Sequence, residues 1–169
     1  MLTAALLMTS SYSEGLRVGW LVCRDADTRA KIVRHALNGN TNVCSPTELL
    51  STIALENSDF LLQKNAKVAR TNVAALDAMV VRSKGLLTWQ KPTAGLVAWL
   101  SWHGPGSAHT LATSVLEHEH ILVADHTLFG MEDDAASGGG LRVGLGLVDM
   151  PERFLKLEAA IARYMRDLA

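Results

Sequence analysis

Two stretches of the chain set an arginine into an apolar, glycine-punctuated run: Gly15-Leu16-Arg17-Val18-Gly19-Trp20-Leu21-Val22 near the start and Gly140-Leu141-Arg142-Val143-Gly144-Leu145-Gly146 near the end. Each run has the length and composition of a strand, so each asks a buried or half-buried strand to carry a cation. That is costly unless an anion meets it. A planar guanidinium grips a carboxylate or a phosphate through two parallel hydrogen bonds, and two such runs suggest two anion sites. The simpler alternative for either run alone is an arginine at a strand end with its head in water.

Other chemistry is thinly represented. His118, His120 and His126, with Glu119 and Asp125 nearby, form the cluster with metal-ligand residue types. His118 and His120 would share a face on a strand, and with a third histidine could hold zinc or iron. They fall, however, where helical periodicity gives way to a strand and polar residues are common, so no metal site is assigned. Neither a Gly-x-Ser-x-Gly elbow nor a phosphate loop of the Gly-x-x-x-x-Gly-Lys type occurs. Gly138-Gly139-Gly140 lacks the strand before and helix after that a dinucleotide fingerprint requires.

The elements that must position these residues belong to one domain's worth of chain. At 169 residues, 49% hydrophobic and 20% charged, the composition is that of a soluble protein with a sizeable core. A formal net charge of -1 without a basic stripe argues against a general nucleic-acid binder. The apolar Met1 to Met8 has no basic flank and is too short for a membrane span, and it reads as a strand of a larger sheet. Cys23 and Cys44 lack CxxC spacing, so free thiols in a reducing, cytoplasmic compartment are expected.

Along the chain, Leu16 to Cys23 is the first arginine strand. A helix follows from about Asp25 to Leu37 and is stopped by Asn38-Gly39-Asn40. Ser45-Pro46-Thr47-Glu48 has the pattern of a capping box and opens a helix over about 46–56. From Ser58 to Arg82, Leu62, Ala66, Ala69, Val73, Leu76 and Val80 recur at spacings of four and three, which predicts one long amphipathic helix. Leu86 to Gln90 and Leu96 to Trp102 suggest a hairpin, Ala108 to Glu117 a helix, Ile121 to Ala124 a strand and Leu141 to Gly146 the second arginine strand. A final helix opened by Asp149-Met150-Pro151-Glu152 places Phe154, Leu157, Ile161, Met165 and Leu168 on one face. Strands alternating with helices point to an α/β or α+β domain.

Taken in this order, the elements resemble the C-terminal half of class I/II aminotransferases, the fold-type I enzymes that use pyridoxal phosphate. The likeness is carried by Gly-Leu-Arg-Val-Gly-Trp-Leu-Val, the long helix, Trp89-x-x-Pro92-x-x-Gly95, the Phe129-Gly130 turn and Leu-Arg-Val-Gly-Leu-Gly. The resemblance implies residues 1–25 as the end of the cofactor-binding large domain. It implies 26–169 as the small C-terminal domain, in which the long connecting helix 58–82 accompanies a mixed or antiparallel sheet with flanking helices. It further implies Arg17 for the cofactor phosphate, Arg142 for the α-carboxylate of an amino acid or 2-oxo acid, and a homodimer. In the family a lysine shortly before the first arginine forms the Schiff base and moves the proton. Here the corresponding Met8-Thr9-Ser10-Ser11-Tyr12-Ser13-Glu14 contains none, and the first lysine is Lys31. An aminotransferase chain lacking its N-terminal part and its catalytic group is therefore expected, partnered by an N-terminal half. The alternative is a non-catalytic ligand-binding or interaction module derived from that family.

Overall fold

The computed structural model describes residues 2–6, 18–39, 43–133 and 139–168, the side chains of residues 2–6 and of Trp20 aside. Two compact units are present, Met1–Ala66 and Lys67–Ala169.

In the first unit β1 (Leu2–Leu6) pairs antiparallel with β2 (Gly19–Cys23), Leu2 opposite Cys23 and Leu6 opposite Gly19. Helix α1 (Ala26–Gly39) starts at the expected acidic signal, because the Asp25 carboxylate accepts the Thr28 N–H at 2.7 Å and so satisfies one of the free donors of the first turn. Helix α2 (Ser45–Glu56) departs from expectation at its start. Cys44 is the N-cap and the capping box of Ser45 and Glu48 is not formed, since Ser45 is already helical and Pro46 follows it in the first turn. No residue of α1 is buried, and Leu49, Leu50 and Ile53 of α2 are exposed.

Helix α3 (Ser58–Arg82) runs over the expected span, with 58–66 in the first unit and 67–82 in the second. Its buried face is rotated from the apolar stripe read in the sequence. Leu62 is exposed, while Asn72, Leu76 and Met79 are buried. Asn72 is kept there by its side-chain amide, which donates to the carbonyls of Leu145 at 2.9 Å and Leu147 at 2.7 Å. A buried amide needs such partners, and that requirement outranks hydrophobic periodicity at this position.

The second unit is built on an antiparallel sheet in the order β3-β4-β6-β5, with β3 (Leu87–Trp89), β4 (Val97–Trp102), β5 (Ala124–Asp125) and β6 (Gly140–Gly144). The expected hairpin is present, with Leu87 opposite Trp102. The expected strand Ile121–Ala124 is not. Helix α4 (Ala108–Glu119) ends with His120 in the left-handed conformation, φ 54°, Ile121 and Val123 pack against the core, and pairing begins only at Ala124. Period-two alternation sends Leu87, Ala98, Leu100, Trp102, Leu141 and Val143 into the core, where they meet Leu76 and Met79 of α3, Leu111 and Val115 of α4, and Phe154, Leu157 and Ile161 of α5 (Met150–Asp167). On α5 the buried seam continues through Ala160 and Tyr164, whereas Leu168, expected on this face, is the exposed C-cap residue. Trp102 and Tyr164 meet edge-on, and both donate to the Pro105 carbonyl. The molecule is a mixed α/β structure.

Candidate functional site

Because Leu141 and Val143 face the core, Arg142 between them must project from the other face of β6. It is exposed, so the strand is half-buried, as expected, and carries its cation on the outward face. Its neighbours on that face are set by register: Trp99 opposite it on β4 and Ala124 opposite it on β5. Arg82, Arg153 and Arg163 are each paired with a carboxylate, at 2.7, 2.7 and 2.9 Å. Among the described residues no carboxylate or carbonyl pairs with Arg142. A guanidinium held on a rigid central strand, without an internal partner, is available to an external anion. Arg142 also lines a cavity of about 660 Å³ with Val143, Phe154 and Leu157, and the charged residues Asp149, Glu152, Arg153 and Lys156 line it too.

The aromatic side of this face was not singled out in the sequence. Trp99 is 37% exposed and its ring meets that of Phe129 at 6.0 Å and 71°. Gly140 gives the indole room, since a Cβ there would come within 2.4 Å of Nε1. Alternation along Val97–Trp102 could have placed Trp99 on the outward face. Its register with Arg142 depends on the pairing of strands far apart in sequence.

Phe129 ends a single 3-10 turn, His126–Phe129, that is pinned from beneath. The Asp125 carboxylate accepts the Thr127 N–H at 2.8 Å and its hydroxyl at 2.6 Å, and contacts His109 Nδ1 at 3.3 Å. Burial works against the charge of Asp125, yet the hydroxyl and amide of Thr127 and then the His109 ring together hold its carboxyl below the usual range. His126 is wholly buried, with Asp133 at 3.5 Å and Asp125 at 4.0 Å, and Gly139 beside its ring. The three histidines of the candidate metal cluster are not brought together. His118 turns back to the Ser114 carbonyl on α4, His120 caps that helix in the open, and His126 opens the 3-10 turn with its ring buried. Among the described residues no group of three metal-ligating side chains occurs. Arg17, the other candidate anion-binding residue, lies outside the described residues.

A four-stranded antiparallel sheet with helices packed on one face and, among the described residues, an unpaired arginine on the other makes this unit an α+β domain. A PLP-dependent cyclase, OrfR, matches with a TM-score of 0.79 at 23% identity, over 99% of this chain and 44% of that one. A PLP-dependent aminotransferase from Streptococcus suis matches at 0.78 and 17%, over 99% and 42%. The α-aminoadipate aminotransferase LysN from Thermus thermophilus matches at 0.69 and 20%, over 90% and 40%. The chain thus spans less than half the length of these structures, and at such identities the likeness carries the fold. The family model of aminotransferase class I and II matches residues 10–153, and the chain belongs to that family. No curated protein sequence matches it. No described helix is long and apolar enough to cross a membrane.

Pyridoxal phosphate is the cofactor this family implies, and the residues present do not fit its covalent attachment. Residues 1–30 hold no lysine, and Lys31 lies within α1.

Proposed function

We propose that the chain supplies the carboxylate-binding part of an aminotransferase site acting on an amino acid/2-oxo acid pair, with Arg142 as the residue that grips the α-carboxylate. The observation that carries this reading is the unpaired Arg142 guanidinium on the outward face of a central strand, within the stretch matched by the family model. In the same reading Arg17 binds the cofactor phosphate, residues 1–25 close a cofactor-binding domain and 26–169 form the small domain. The unit is a homodimer, and the free thiols Cys23 and Cys44 suit a cytoplasmic setting.

The missing lysine favours a second reading for the chain by itself, a non-catalytic module that binds carboxylates. It makes a separate prediction: pyridoxal phosphate mixed with the chain leaves no visible absorbance after gel filtration. A retained, borohydride-reducible chromophore on one lysine would contradict it.

Binding of pyruvate tests the role of Arg142. An exposed guanidinium–carboxylate pair contributes about 1 kcal/mol or less, which by itself corresponds to a dissociation constant on the order of 0.1 M. Arg142→Ala should weaken binding by up to about fivefold, and Arg142→Lys should restore only part of it because the bidentate geometry is lost. Equal affinities for wild type and Arg142→Ala would sink the assignment.

A further inference from the structure

We propose that the sheet face beside Arg142 is a subsite for an aromatic side chain, so that the acid bound there is an aromatic 2-oxo or amino acid. The inference rests on the carboxylate reading of Arg142. Trp99 is directly opposite Arg142 in the β4–β6 register, and such partners stand roughly 5 Å apart at Cβ. The arginine and the indole thus arise side by side on one face, and a carboxylate held by Arg142 on its Trp99 side would carry its side chain toward the indole.

The indole packs against its neighbours. A Cβ built on Gly140 would approach Nε1, Cε2 and Cζ2 at 2.4, 2.5 and 2.7 Å, so the ring lies over the glycine backbone. Phe129 meets it edge-on at 6.0 Å and closes one side. Trp99 and Phe129 still keep 37% and 51% of their surface in water, and Val97 on the same face is 42% exposed. An acid without a side chain would satisfy Arg142 and leave this surface wet, whereas an aryl group would cover it and gain the offset or edge contacts that aromatic rings favour. The unpaired cation at the edge of the patch selects an anionic aromatic ligand over a neutral one.

Amide and indole nitrogen–proton correlation spectra of the 169-residue chain, titrated with phenylpyruvate and with pyruvate, provide the test. Phenylpyruvate should bind about tenfold more tightly than pyruvate, the aromatic contact being worth roughly one decade, and should move the Trp99 indole N–H, identified by its loss in Trp99→Phe. Trp99→Ala should bring the two constants within about twofold, as that decade is removed. Gly140→Ala, which displaces the indole without changing it, should reduce the ratio as well. Equal constants in the wild type, both weakened in Arg142→Ala, would overturn the aromatic subsite and leave the carboxylate reading standing. Failure of both acids to bind would overturn both. Movement of these resonances with protein concentration but with neither acid would mean that a second copy covers the face, and would likewise overturn the proposal.

Discussion

Gly139 and Gly140 show how single residues shape the candidate site. Gly139 has φ +68°, and a Cβ there would lie 2.4 Å from His126 Nδ1. Gly139→Ala therefore combines left-handed strain with a collision inside a buried turn and should destabilise the protein by roughly 1–3 kcal/mol, measurable as a lowered urea midpoint at constant slope. Asn72→Ala should cost about 1–3 kcal/mol in the same assay, since it leaves the Leu145 and Leu147 carbonyls without their shared donor. A midpoint unchanged by this substitution would show that the bonds contribute nothing net. At this scale the sequence was legible where chemistry advertises itself. An arginine in an apolar run is conspicuous on its own. A glycine that makes room for a ring, or an asparagine that holds two distant carbonyls, is identified only by what the fold brings next to it.

Local patterns were less reliable at element ends than in element interiors. Ser45-Pro46-Thr47-Glu48 has the capping-box pattern and does not form one, whereas Ser107 and Thr110 form a reciprocal box without the expected acidic residue or glutamine. The hydroxyl of Thr110 substitutes because it accepts from the Ser107 N–H at 2.9 Å while the Ser107 side chain accepts from the Thr110 N–H at 3.2 Å. Ser107→Ala should accordingly lower stability by about 1 kcal/mol, and Ser45→Ala should stay within about 0.5 kcal/mol of wild type. Reversal of that order in chemical denaturation would contradict the cap assignment. The long helix 58–82 was legible end to end because apolar residues recur at spacings of four and three along it and neither glycine nor proline interrupts it. The short strand at Ala124–Asp125 was not, since its position depends on where β6 lies and on the left-handed turn at His120.

At the scale of the molecule, ionised carboxylates couple stability to pH. Asp125 and Glu158 are both held below the ordinary range, Asp125 by Thr127 and His109 against the cost of burial, Glu158 by the Arg82 guanidinium. A depressed carboxyl contributes stability that is present above its unfolded value, about 4, and is lost as the pH falls through its lower folded value. Urea midpoints should hold steady from neutral pH to about pH 5 and fall below about pH 4. Asp125→Asn should be less stable at neutral pH and show a shallower acid decline, because the buried charge that titrates has been removed. An unaltered slope would place the acid sensitivity elsewhere.

The fold class was readable in the sequence through the order of its elements, and the family through the two arginine runs. The outward face on which Arg142 and Trp99 meet was hidden, because it is made by pairing residues some forty positions apart. That face also carries the central functional claim. The side-chain Nε–H resonance of Arg142 is its most direct reporter, followed while pyruvate, and separately the uncharged pyruvamide, is added to the chain. Carboxylate binding at Arg142 predicts a saturable shift with pyruvate and none with pyruvamide, whereas a resonance indifferent to both, or equally responsive to both, would contradict it.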